Sequence, residues 1–383
     1  ISEENFFKVD FVDNLKLRAS WGQLGNQEID DYLFYDTYSF GYDYSFGNTL
    51  FSGISINDVM ANSAITWEKT DQIDVGIDAD FWGGKLSFTG DFFLKNTHAI
   101  LLKLPMPDLI GVDAPMQNAG KVRNTGFELA LTHRNQLNLF KYSASFNFSY
   151  VKNEITDLNG GDIPGRSVGD PVDNIYGYVC EGIFRTQEEI DNSCSQIWGA
   201  VPGDLKYADI NNDNVVDQSD RISLGSTFPK INFGLRLNCE YRNFDLTMLM
   251  QGAGMVKGVT AGEISQAFMN GGKVTEEWLD RWTPNNINAS YPRLTLSSSS
   301  RNYMTSSFWV QNASYLKMRN LQIGYTIPKH LLTNWGISNL RLYCSIDNLF
   351  TITNFKGLDP EMVTSSTLYP LTRNYSFGVN LSF

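Results

Sequence analysis

Histidine, charge and ordered cysteine spacing are all scarce in this 383-residue chain. The 3 histidines lie far apart, at His98, His133 and His330. None has a nearby serine and aspartate in a convincing triad, which argues against a histidine-based nucleophilic centre. The carboxylate pair Glu188-Glu189 falls on a solvated turn rather than in a cleft, so paired-carboxylate hydrolysis is not expected either. Charged residues make up 19% of the chain, below the roughly 25% usual in soluble domains. Of these, 42 are acidic and 30 are Lys or Arg, and the net charge of −12 argues against nucleic acid or an anionic surface as partner. Cys180, Cys194, Cys239 and Cys344 match no zinc spacing. Cys239 and Cys344 fall on apolar strand faces, while pairing of Cys180 with Cys194 stays open. No run approaches 18 consecutive apolar residues, so no transmembrane helix is expected. Ile1 is not an initiator and no signal peptide precedes it, so the chain is expected to be the processed or truncated end of something longer.

Aromatic residues, in contrast, are abundant at 13%, with 25 Phe and 18 Tyr. Many of them alternate. Tyr375, Phe377, Val379, Leu381 and Phe383 share one face of YSFGVNLSF, and Ser376, Gly378, Asn380 and Ser382 share the other. Leu340, Leu342, Cys344 and Ile346 repeat the pattern, as do Tyr142, Ala144, Phe146, Phe148 and Tyr150. A period of two places each set on one side of a sheet. Ten long strands are expected, near 13–24, 66–82, 84–100, 122–133, 139–153, 229–242, 243–256, 312–327, 338–353 and 370–383. Many run to 12 residues or more, against the usual 5 or 6 or so of a soluble strand. Their connections alternate between short and long, the long ones near 25–65, 101–121, 154–228, 257–311 and 354–369. A soluble sandwich gives no reason for that segregation. The expected fold is therefore all-β: a transmembrane antiparallel β-barrel portion of about ten spanning strands, with short periplasmic turns and long extracellular loops.

The 154–228 loop contains DINNDNVVDQSD, from Asp209 to Asp220. Asp209, Asn211, Asp213, Val215, Asp217 and Asp220 fall at positions 1, 3, 5, 7, 9 and 12 of an EF-hand-type register. Asn214 at position 6 tolerates the left-handed backbone required there. Hard oxygen donors without Cys or His suit Ca²⁺. Position 12 is Asp rather than Glu, and no amphipathic helix flanks the run. A structural calcium ion with Kd of about 10⁻⁴ to 10⁻³ M is expected, against the plainer alternative of a solvated loop rich in Asx turns. The ion would order a long excursion that is not expected to pack a core unaided. A second feature is YDTYSFGYDYSFG, which offers Tyr35, Tyr38, Phe40, Tyr42 and Tyr44 as stacking surfaces for a sugar. Trp198, in the acidic loop, is a further candidate contact. The alternative for all six is self-packing or an aromatic girdle.

Several motifs resemble the C-terminal part of SusC/RagA-like TonB-dependent transporters. They are LKLRASWGQLGN (Leu15–Asn26), ITWEKTDQIDVGID (Ile65–Asp78), NAGKVRNTGFELAL (Asn118–Leu131), PGDLKYADINNDNVVDQSDRISLGS (Pro202–Ser226), QGAG (Gln251–Gly254), SYLKMRNLQIGYTIP (Ser314–Pro328) and DNLFTITNFKGLDPE (Asp347–Glu361). The resemblance covers nearly the whole chain. It implies a bacterial outer-membrane location in contact with lipid, and import of glycans or oligopeptides. It also implies a SusD-like surface lipoprotein as partner, and a TonB complex acting through an N-terminal part not present here. It transfers no substrate residue. A siderophore- or cobalamin-type receptor and a calcium-dependent surface binding module stay open as alternatives.

Overall fold

A computed structural model describes the chain except for residues 5, 6, 8, 27–30, 57, 58, 162, 298 and 365–368. Ten strands carry the architecture. They are β1 (Val12–Asn26), β2 (Glu68–Phe81), β3 (Leu86–Lys103), β4 (Met116–Leu137), β5 (Phe140–Asp157), β6 (Ile231–Tyr241), β7 (Phe244–Gly254), β8 (Tyr315–Thr326), β9 (Asn339–Thr353) and β10 (Asn374–Ser382). They pair antiparallel in strict chain order, with β1 and β10 at the edges of one ten-stranded sheet. Among the described residues no helix is long and apolar enough to cross a membrane.

The register explains why alternation was so strong a signal. One row runs Trp21, Ile73, Leu94, Thr125 across the first four strands. A second runs Phe88, Leu131, Phe146, Leu235, Met250 and Met318 from β3 to β8. A third joins Leu246, Ile323, Cys344 and Phe377 from β7 to β10. All three lie on one apolar face, and Cys239 joins it opposite Tyr142 and Leu246. The opposite face is polar and cross-linked. Arg18 on β1 bridges Asp78 at 2.7 Å and Asp91 at 2.8 Å, Arg341 on β9 reaches Asp245 on β7, and Asn320 donates to Asp347 at 2.7 Å. An apolar outer band over a polar interior is the lipid-against-lumen division of a membrane barrel.

The connections segregate by end. Asn138-Leu139 and Arg242-Asn243 are two-residue turns, and Asn138 (φ 53°) and Arg242 (φ 54°) take the left-handed conformation that tight hairpins need. Gly83 and Gly84 do the same between β2 and β3. The other end carries the long excursions.

Strand ends differ most from expectation in β4. It starts at Met116 and reaches Leu137, and β3 continues to Lys103 beside it. The loop expected near 101–121 is thus strand at both its ends, and a bulge near Ile100 keeps the two strands paired there. At its other end β4 runs on past the expected 133 to Leu137, so the turn is confined to Asn138-Leu139.

Candidate functional site

Two excursions, 158–230 and 255–314, fold together beyond the sheet. Tyr178, Leu205, Tyr207 and Val216 form a buried cluster, joined by Met304 and Phe308 from the second excursion. The expectation that oxygen ligands stand in for a missing core is therefore corrected. The acidic run itself contributes Val216, 1% exposed, to an apolar core built from two distant segments. A second cluster of Ala267, Trp278 and Trp309 lies within 255–314.

A polar clasp binds the excursions. Asn302, 0% exposed, accepts from the Leu205 N–H at 2.8 Å and donates to Asp204 Oδ1 at 2.9 Å. The same carboxylate oxygen takes Arg293 Nε at 2.6 Å. Arg301 donates to Gly199 O at 2.5 Å, Gln196 Oε1 at 2.6 Å and Leu205 O at 3.0 Å, and lies over the Tyr207 ring at 5.3 Å. Tyr207 closes the ring through its hydroxyl, 2.6 Å from Arg301 O. Burial lowers the Arg301 pKa from its ordinary value, and burial pushes the nearby Cys180 thiol up to about 11. Cys180 and Cys194 are both free thiols.

The acidic run closes on itself through backbone N–H groups. Asp209 accepts from Asn212 N at 2.7 Å and Asn214 N at 2.8 Å. Asn211 Oδ1 takes Asp213 N at 2.9 Å, and Asp213 Oδ1 takes Val215 N at 2.8 Å. Asp220, 0% exposed, caps both ends by accepting from Ile210 N at 2.7 Å and Asp217 N at 2.8 Å. The Ser219 hydroxyl and N–H hold the Asp217 carboxyl below the usual range. Asn214 adopts φ 69°, as its place in the register requires. The candidate ligands are all hard oxygens, but Asp209 Oδ1 and Asp220 Oδ1 each also accept a second N–H at 3.3 Å, from Asp213 and Asn211, so free lone pairs remain only on other oxygens of the run. Among the described residues, however, no group of three or more His, Cys, Asp or Glu side chains is gathered closely enough to hold a metal.

The aromatic candidates separate into two places. Tyr38 and Phe40 sit in a three-residue ribbon with 54–56, and Tyr44 sits in another with 49–51. Tyr35, Tyr38, Phe40, Tyr42 and Tyr44 are all exposed. None of the five lines the two cavities that flank Trp198. Trp198 itself is 71% exposed at φ 58°, a conformation unfavourable for a bulky side chain. Its neighbours Arg293 and Arg301 lay in no motif, and Asp204 lay in one without a role, because their partners are about ninety to a hundred residues away in sequence.

A third polar centre stands where β8 leaves the sheet. Lys317, 3% exposed, bridges Asp359 at 2.7 Å and Glu361 at 2.8 Å, while Tyr315 and Arg319 also donate to Glu361. The histidines stay dispersed. His98 lies 3.2 Å from Asp71, and His133 packs on Tyr142.

Residues 6–349 match the family described as TonB dependent receptor-like, beta-barrel. The chain is 28% identical along its whole length to TonB-dependent receptor P3 of Formosa agariphila, and covers 41% of that protein. It is 28% identical to TonB-dependent receptor SusC of Bacteroides thetaiotaomicron, again along its whole length, covering 39% of it. The RagAB peptide importer in its open-open state superposes with a TM-score of 0.78 at 25% identity, over 98% of this chain and 41% of that one. The chain thus spans about two fifths of the length of the relatives it matches. They are receptors and transporters rather than enzymes.

Proposed function

From the premise that this chain belongs to the TonB-dependent receptor β-barrel family, with its sheet in the outer membrane, we propose that it forms the C-terminal wall of an importer of large nutrients. The cargo class is glycan or oligopeptide. The carrying observation is end-to-end similarity to SusC and to the RagAB importer, which includes the long excursions as well as the strands. The excursion end faces the cell exterior, where a SusD-like lipoprotein seats on it. Energy comes from a TonB complex acting through a part of the transporter outside this chain. A siderophore receptor or a free-standing calcium module finds no support among these relatives.

Purification of the transporter from outer membranes in mild detergent is expected to bring down a lipoprotein. Uptake of its cargo is expected to stop when TonB is removed. Recovery of the barrel alone, or uptake that continues without TonB, would overturn the proposal.

We also propose that Asp209, Asn211, Asp213, the Val215 carbonyl, Asp217 and Asp220 take one calcium ion. The all-oxygen donor set in EF-hand register supports this. A bound ion would neutralise carboxylates that otherwise repel one another. Chelator is expected to raise protease cutting within 205–222. Equal cutting with and without chelator would leave the run as a hydrogen-bonded loop only.

A further inference from the structure

Trp198 stands between two cavities, of about 280 and 420 Å³. The larger is lined by Trp198, Asp204, Arg293, Thr295, Ser300 and Arg301, among others. Its charge runs against that of the molecule. The chain carries a net −12, yet this lining holds two guanidiniums and only one carboxylate. Asp204 is already engaged by Arg293 and Asn302. Among the described residues Arg301 donates only to neutral acceptors, and its buried Nε has no hydrogen-bond partner. One positive charge is therefore left without a counter-ion in a low-dielectric wall, where an anion is attracted more strongly than in water. Hydroxyls of Thr295 and Ser300 line the same space, and the Trp198 indole is open to solvent.

We propose, resting on the importer function above, that this cavity is a subsite for a sugar ring bearing an anionic group. The ring stacks on Trp198, its hydroxyls meet the serine and threonine side chains, and its carboxylate or sulfate faces the half-exposed Arg293, with the buried charge of Arg301 behind it. Guanidinium forks suit planar oxyanions. A hydroxyl-lined cavity beside a flat aromatic surface matches a ring better than an extended peptide, which would call for a sheet edge. Backbone strain at Trp198 is consistent with a residue held in place for contact.

The test uses the transporter purified from outer membranes, with calorimetric titration of trigalacturonate, galactotriose and a tri-glutamate peptide. Trigalacturonate is expected to bind at least about tenfold more tightly than the other two, a factor equal to about 1.4 kcal/mol. Trp198→Gly removes the ring at a φ that glycine accepts, and should weaken trigalacturonate about tenfold or more. Arg293→Gln should narrow its advantage over galactotriose. Protease resistance of both variants checks that the excursions remain folded. Equal binding of galactotriose, tighter binding of tri-glutamate, absence of trigalacturonate binding, or an unchanged affinity in Trp198→Gly would each overturn the subsite. Lipoprotein co-purification and TonB dependence would be untouched by such a result, so the importer function is tested separately.

Discussion

The sheet and the excursions are stabilised by different means. In the sheet, each strand pairs with its chain neighbour, and a single apolar face runs from β1 to β10. Its side-chain requirements are repetitive, and many positions can exchange one apolar residue for another. The excursions rest on few residues, each with several partners. Asp204, Asn302, Arg301 and Tyr207 connect segments 94 to 98 residues apart. Lipid can solvate an apolar strand face, but a buried guanidinium in an excursion needs named acceptors. Redundancy in one region and specificity in the other follow from that contrast.

The strongest way to break the comparison is to insert charge into the sheet. Leu235→Arg, on the apolar face of β6, should destabilise the barrel by about 2 to 4 kcal/mol if the site is near the midplane. Ser145→Arg, paired with Arg236 on the polar face, should cost much less. Denaturant titration in detergent micelles measures both, and equal costs would contradict the assigned faces. Next in size, Asn302→Ala should leave the Leu205 N–H buried without a partner, at about 1 to 3 kcal/mol. The loss should appear as protease cutting in 158–230 and 255–314, with heat-modifiable gel mobility of the barrel unchanged. A barrel that unfolds together with the excursions would show that the two regions are not independent.

A smaller effect is expected from acid. Burial opposes ionisation of Glu361, but donation by Lys317, Tyr315 and Arg319 outweighs it and holds the carboxyl below its ordinary 4.5. A depressed carboxylate gives stability that is present above its unfolded pKa and is lost as pH falls through the folded one. Protection factors for hydrogen exchange around 354–364 should therefore be high at neutral pH and fall in acid as Glu361 takes up its proton. Glu361→Gln should remove that dependence. The smallest effect belongs to the acidic run. Asp209→Ala with Asp213→Ala should expose 205–222 to protease while leaving barrel melting within about 0.5 kcal/mol of the parent.

The same contrast governs what could be read from the sequence. Ten strands and their order were visible because period-two alternation is local: Tyr142 to Tyr150 announces its own face. Strand ends were less visible, since β4 is extended by its partner β3 rather than by its own composition. Family motifs pointed to the barrel and even marked the acidic run. They did not reveal that Val216 enters a core, because the residues that bury it come from two excursions. Trp198 was identifiable as an aromatic side chain in a long loop. The surplus guanidinium beside it was not, since Arg293 and Arg301 acquire meaning only after Gly199, Leu205 and Asp204 are brought against them.

The strict chain order of the sheet also has a consequence for how it assembles. β2–β3, β4–β5 and β6–β7 are hairpins with turns of two to four residues, and each can zip with little loop-closure entropy, while β8 and β9 are joined by residues 327–338, which include a short helix. Pairing β5 with β6, or β7 with β8, requires the ends of a long excursion to meet. That penalty rises by only about 0.6 kcal/mol for each doubling of loop length. Hairpins are thus expected to be the kinetic units, added one after another to a growing edge. The excursions can then condense on a finished wall, and a lesion in their clasp should slow maturation at the cell surface without slowing insertion.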